Sequence, residues 1–273
     1  MSPRGSRTRQ THIYIVVMIF LGLILLPIFY MFLISITPAR ESWLSLIPKN
    51  PTFSAYIKAF SDERLARYFM NTWILAGSAA LLSLTMAFFG GYGLSRFKFR
   101  GQNMFLFIIL ITQGFAPIAL SISYFRIAKM LNLYNTYSFL ILIYVSMCLP
   151  FCTLIMRSFL SAIPREIEEA AMLDGCTEIA LLFKIILPMS LPGLIATGLY
   201  AFIQSWNQYL YPLLFTSDWT RAPMTVLIAS QKGSYVVNWN QIMVLALITC
   251  LPAIILFSLF HKQFTQSITG GLK

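Results

Sequence analysis

The chain has 273 residues, 58% of them hydrophobic and only 11% charged, with a formal net charge of +11 and a mean hydropathy of +0.74. A soluble globular chain carries about a quarter charged residues, so a water-exposed surface on most faces is excluded and lipid is the expected solvent. The lysines and arginines lie between apolar runs rather than on one polar face, which fits topology signals and anionic headgroups and argues against nucleic-acid binding.

Arg4, Arg7 and Arg9 precede an apolar run from Tyr14 to Ser35. That run is too long for the core of a signal peptide, and no small-residue cleavage site follows, so an uncleaved first membrane helix is expected. The segment Ile36–Arg67 follows, punctuated by Pro38, Pro48 and Pro51. Its aromatic residues Trp43, Phe53, Tyr56 and Phe60 suggest a packed or interfacial cap outside the membrane. Further spans are expected at Tyr68–Ser95, Asn103–Tyr124, Tyr137–Met156, Leu191–Phe215 and Asn240–Phe260, and glycines and prolines interrupting the second and fifth allow those two to be split differently. The fold class is thus all-α, a polytopic membrane protein with six transmembrane helices. One domain over 1–273 is expected, with a core at about 68–262 and the first helix and outer loop at 14–67. The dense Arg96, Lys98 and Arg100 favour both termini inside, although the charge bias over the whole chain is slight. Cys148 and Cys152 share a helix face by their i, i+4 spacing, but no His, Asp or Glu is near them in sequence. Packing as small hydrophobes is the expected role, not a metal pair or a disulfide.

The segment between the fourth and fifth spans, Arg157–Ser190, is the most polar long stretch and holds most of the acids. Pro164 suits the first turn of a helix, and Glu166, Glu168 and Glu169 fall at the positive end of its dipole. Gly175 suits the left-handed position that stops a helix, and Thr177 suits the cap of the next one, running to Leu187. Pro188 and Pro192 then break or kink the entry to the fifth span. The product is a short cytoplasmic helix, a glycine corner and a second helix. Ala170 and Ala171 allow close approach by another surface, and the glutamates offer it negative charge. An interfacial helix lying on lipid favours Lys and Arg instead, so a protein partner is the better reading.

Glu169-Ala170-Ala171, then Gly175, Ile185 and Leu187-Pro188, resembles the EAA signature of ABC importer permeases at every defining position. The resemblance extends over nearly the whole chain. It includes Leu131-Asn132-Leu133-Tyr134-Asn135-Thr136-Tyr137, Leu149-Pro150-Phe151, Ile163-Pro164-Arg165-Glu166, Trp206-Asn207 and Gly270-Gly271, which are similar to segments of maltose-type (MalG-like) carbohydrate permeases. Two features depart from that pattern: Cys176 replaces a small alanine, and Gln113-Gly114-Phe115-Ala116-Pro117 is more polar than expected. The resemblance implies a coupling helix that docks on a cytoplasmic ATPase, with Glu168, Glu169, Ala170, Ala171, Asp174 and Gly175 as its residues. It implies a heterodimer with a second permease subunit, two ATPase subunits and an extracytoplasmic solute-binding protein, in the bacterial cytoplasmic membrane. ATP and Mg would be bound by the ATPase partners. This chain would hold no cofactor, no metal and no catalytic residue, and it carries no P-loop, HExxH or GxSxG motif.

Polar side chains inside spans are costly and mark candidate pathways. Gln113, and Gln204, Asn207 and Gln208 at i, i+3, i+4 of one helix face, are the candidates for contact with a carbohydrate, along with Asn71, Ser121 and Ser123. Tyr200, Trp206, Tyr209 and Tyr211 are close in sequence. The competing role for each is an interhelical hydrogen bond, worth roughly 0.6–2 kcal/mol. Two alternatives stand beside the sugar importer: an ABC permease for another solute such as glycerol phosphate, and an ATP-independent secondary carrier. The spans show neither the basic residues that a phosphate ester favours nor the titratable relay that a proton-coupled carrier needs.

Overall fold

A computed structural model describes residues 4–38, 48–232 and 237–269, with side chains described for 13–38, 48–232 and 237–260. Trp43 of the outer connection and the Gly270-Gly271 pair lie outside the described residues. The described residues are helical and contain no named strand, only an isolated antiparallel bridge between Lys232 and Val237.

The helices are α1 Arg4–Ser35, α2 Ser54–Ser61, α3 Glu63–Arg96, α4 Gln102–Thr112, α5 Pro117–Met130, α6 Tyr137–Ser161 and α7 Arg165–Leu173. They continue with α8 Glu178–Leu181, a π turn at Leu182–Ile186, α9 Leu187–Met189, α10 Leu191–Trp206, α11 Leu210–Phe215, α12 Met224–Ser230 and α13 Trp239–Thr269. Four stretches are long and apolar enough to cross a bilayer: Ile13–Ser35, Glu63–Arg96, Tyr137–Ser161 and Trp239–Phe260. The expected span Asn103–Tyr124 is bent, and the entry to the fifth span is kinked, as expected from Pro188 and Pro192. Gln102–Thr112 and Pro117–Met130 meet at 96°, and Glu178–Met189 and Leu191–Trp206 meet at 75°. Among the described residues, four helices are thus long and apolar enough to cross, or up to six stretches if each bent pair counts as one.

Proline chemistry accounts for these breaks. Pro117 has no N–H to donate to Gln113, four residues back, and opens α5 at its first turn. The expected straight span Asn103–Tyr124 is therefore two helices joined at 113–116. The expected span Leu191–Phe215 likewise stops at Trp206. Pro212 cannot donate to the Gln208 carbonyl, which takes the Thr225 hydroxyl instead at 2.7 Å. Pro188 similarly leaves the Lys184 carbonyl without its α-helical donor, and the wider π turn lies directly upstream.

The chain divides into two compact units. The first holds residues 1–65 and 228–250. There the most apolar window of Ile13–Ser35 is fully exposed, apolar on every side as a lipid-solvated helix is. The Ser35 and Tyr56 hydroxyls meet at 2.8 Å, tying the end of α1 to α2.

The second unit holds residues 66–227 and 251–273 and contains the packed core. Close helix approach rests on small residues, since lipid supplies no hydrophobic drive between helices. A Cβ on Gly91 of α3 would stand 2.8 Å from the Arg157 backbone nitrogen of α6. A Cβ on Gly193 of α10 would stand 2.6 Å from the Phe159 ring. Cys148 and Cys152 are buried in this core, where the Cys148 thiol lies 3.7 Å from the Ser205 hydroxyl. An aromatic cluster closes one end of the core. Trp206 stacks on Phe202 at 5.2 Å and meets Trp73 and Phe69 edge-on at 5.4 and 6.0 Å.

Candidate functional site

The site is the loop from Ile163 to Ser190, and its backbone follows from its sequence. Pro164 is the N-cap of α7 with an extended ψ of 139°. Glu166 and Glu168 fall in the first turn, where the helix dipole favours negative charge. α7 closes with Gly175 at φ +84°, a conformation that costs an L-residue about 1–2 kcal/mol. The Gly175 N–H donates to the Met172 carbonyl and the Cys176 N–H to the Ala171 carbonyl, each at 3.0 Å. This pair of bonds is the Schellman closure. The Thr177 hydroxyl then accepts from the Ala180 N–H at 3.3 Å and starts the second helix, which runs on through the π turn to Met189.

The six candidate docking residues do not all face one way. Glu169, Ala170, Asp174 and Gly175 are exposed, together with Met172, Leu173 and Ile179, and Leu173 is 89% exposed. Ala171 is buried against the core, as is Glu168. The expected outward charge of Glu168 is thus turned inward: its Oε1 accepts from the Arg96 Nε at 2.6 Å, with both side chains under a tenth exposed. The sequence marked Arg96 only as a topology signal. Its partner is 72 positions away, and no local pattern links the two.

Further bonds tie the loop to the end of α3. Arg96 Nη2 donates to the Ile163 carbonyl at 3.1 Å, and Arg165 Nη2 donates to the Arg96 carbonyl at 2.8 Å. The Leu94 carbonyl accepts from Gln102 Nε2 at 2.6 Å and from Arg157 Nε at 3.4 Å. These are carbonyls that a helix C-terminus leaves unpaired, and cationic donors are favoured there. Between α3 and the loop lies a cavity of about 440 Å³ lined by Arg96, Arg165, Glu168, Glu169, Glu178 and Ile179 among others.

The pathway candidates are placed differently from the sequence expectation. Gln204 is exposed on α10, Asn207 is the exposed C-cap of that helix, and Gln208 is half-buried in the break before α11. They therefore do not form one continuous helix face. Gln113 is exposed at the break before α5. The starts of α5 and α11 meet, because the Tyr211 hydroxyl donates to the Pro117 carbonyl at 3.2 Å. This contact relates the break holding Gln113 to the one holding Asn207 and Gln208. Trp206 and Tyr211 are buried in the core, Tyr200 packs on Phe151 at 4.7 Å, and Tyr209 is exposed.

Asn71 is almost fully buried and satisfied. Its Nδ2 donates to the Thr220 and Ala222 carbonyls at 2.9 and 2.8 Å, and its Oδ1 accepts from the Tyr137 hydroxyl at 2.7 Å. Ser121 is buried, with its hydroxyl on the Pro117 carbonyl, and Ser123 is exposed. Asn71 is thus a clamp between α3, α6 and the segment 216–223. Thr72 adds to the clamp by accepting from the Met224 N–H at 2.9 Å. Asn135, at φ +58°, accepts from the Ser217 N–H and donates to Asp218, while Arg221 donates to the Asn135 carbonyl. The Thr220 hydroxyl, and then the Asn135 amide, hold the Asp218 carboxyl below the usual carboxylate range.

A family described as binding-protein-dependent transport system inner membrane component matches residues 4–270. The sulfoquinovosyl glycerol transport system permease protein SmoH of Agrobacterium fabrum is 33% identical over 84% of this chain and 81% of its own. The trehalose/maltose transport system permease protein MalG of Thermococcus litoralis is 32% identical over 83% of this chain and 82% of its own. Among solved structures, a chain of a bacterial ABC transporter involved in import of the acidic polysaccharide alginate superposes with a TM-score of 0.80. That match covers 97% of this chain and 99% of the other at 24% identity, and it shows the shared fold.

Proposed function

We propose, for a chain that belongs to the binding-protein-dependent transport system inner membrane components, that it forms half of the translocation pore of a bacterial carbohydrate importer. The solute is a mono- or oligosaccharide delivered by an extracytoplasmic binding protein. The second half of the pore is another permease subunit, and two cytoplasmic ATPases that bind ATP and Mg supply the energy. The chain itself carries out no chemistry. ATPase closure moves the loop around α7, and the pore alternates between inward and outward openings because nucleotide and binding protein favour different states.

One observation carries this reading. α7 is closed at its C-terminal end by the two bonds around Gly175, and it presents Glu169, Ala170 and Leu173 to the outside. A carboxylate, a small residue and an exposed leucine in one short capped helix suit a protein cleft better than a lipid surface. The carbohydrate reading is supported by the names of the relatives and by uncharged Gln113, Gln204, Asn207 and Gln208 near the two helix breaks.

The test is affinity purification of the chain after co-expression with its genomic neighbours, with Glu169→Lys and Gly175→Pro in parallel. Wild type is expected to retain an ATPase. Glu169→Lys reverses charge on the exposed face. Gly175→Pro demands a φ near −65° where the chain holds +84°, and it removes the N–H given to Met172. Both variants are expected to lose the ATPase or its substrate-dependent hydrolysis. A chain that transports alone and never binds an ATPase refutes the proposal.

A further inference from the structure

We infer that Arg96 is a positioning residue that makes the end of α3 move with α7, so that motion of the docking loop reaches the pore-forming core through α3. The inference rests on the proposed docking role of α7 and deepens it.

Three observations lead there. First, Arg96 bonds the loop twice: to the Glu168 carboxylate within α7 and to the Ile163 carbonyl just before that helix. Two contacts from one planar guanidinium fix orientation as well as distance. Second, the bond is returned, since Arg165 of α7 donates to the Arg96 backbone carbonyl. The helix end and the loop therefore hold each other. Third, the ion pair is almost wholly buried. Buried ion pairs contribute little net stability compared with apolar packing of the same volume. Leucine and methionine at these positions would fill the space against α3 and leave α7 free to slide. A charge pair allows one register only, and losing either partner leaves a buried charge unpaired.

α7 follows α6 directly and leads through α8 and the π turn into α10, so those helices receive its motion through the chain. α3 has no such connection to it, and the Arg96 bonds supply one across 72 positions of sequence. The far part of α3 is clamped at Asn71 and Thr72 to the segment 220–224.

The experiment uses the complete transporter in proteoliposomes, with its partner permease, ATPases and binding protein. It measures ATPase retained on the complex and solute taken up per ATP hydrolysed. Arg96→Gln is expected to retain the ATPase while uptake per ATP falls about tenfold or more, within the usual range of site-to-site coupling. Arg96→Lys is expected to fall between, because an ammonium keeps the charge but lacks the rigid planar fork that fixes both acceptors. Glu168→Gln keeps size and an acceptor oxygen, and it gives the same readout if Arg96→Gln fails to fold and insert. Unchanged uptake per ATP in an assembled variant overturns the inference. Loss of the ATPase from Arg96→Gln also overturns it, because Arg96 would then serve only to fold the dock. Glu169→Lys is run alongside: if it keeps both ATPase and uptake, the docking reading itself fails and this inference falls with it.

Discussion

The crossing of α3 and α6 at Gly91 allows a sharp test of the packing argument. In Gly91→Ala the new methyl would lie 2.8 Å from the Arg157 nitrogen, 2.9 Å from the Met156 Cβ and 3.1 Å from the Met156 carbonyl carbon. These atoms belong to or adjoin the α6 backbone, so no rotamer change clears them. Carbon contacts relax near 3.5–4.0 Å, so the helices must part by roughly 1 Å. Overpacking of this kind costs about 1–3 kcal/mol. The same shift breaks the Arg157–Leu94 bond, already long at 3.4 Å. For a chain of this size the melting midpoint should fall by about 2–10 °C. Gly77→Ala is the control, because its methyl would meet nothing within 4 Å in the same helix. Thermal unfolding of the purified assembly in detergent separates the two. A Gly91→Ala midpoint equal to that of Gly77→Ala refutes the close-approach account of this crossing.

Asn71→Ala should leave the Ala222 carbonyl without its amide donor, while the Thr220 carbonyl keeps Arg67 Nε at 3.1 Å and the Tyr137 hydroxyl at 3.3 Å. Each buried group left unpaired costs about 1–3 kcal/mol, and faster amide exchange over 216–224 than in wild type is the expected result. Asp218 should add an acid transition to the same segment. Its folded pKa is depressed, so the stabilisation is present above the ordinary carboxylate pKa and is lost as pH falls through the folded value. Exchange over Ser217–Arg221, corrected for intrinsic rate, should therefore be flat from pH 5 to 8 and rise only below about pH 4. In Asp218→Asn that acid transition should vanish; a wild-type transition near neutrality would contradict the assignment.

The loop at α7 was legible because its signals are local. Gly175 and Thr177 each dictate the backbone within two or three residues and occupy the expected positions, while Pro164, expected in the first turn, stands just before it at the N-cap. The apolar runs were legible for the same reason, through hydropathy. The break inside Asn103–Tyr124 was masked by that hydropathy, which stays high across a bend, whereas the prolines and glycines of the fifth run already allowed a split there. Pro117 and Pro212 were the available signals, read four residues upstream to the carbonyls that lose their α-helical donor. The spacing of Gln204, Asn207 and Gln208 fits a helix that does not continue that far. The inward turn of Glu168 could not be read at all, because it depends on Arg96 in a distant helix. Asn71 looked like a pathway residue for a related reason: its carbonyl partners at 220 and 222 belong to a segment that the sequence does not tie to α3.

From Asn71 to Arg96, α3 continues without a proline. At 1.5 Å per residue the two clamps stand about 38 Å apart along its axis. Over that length, pivoting the helix by about 5° about one clamp carries the other through about 3 Å, the span of one hydrogen bond. A small rotation of α3 at one clamp is therefore large enough to make or break the contacts at the other.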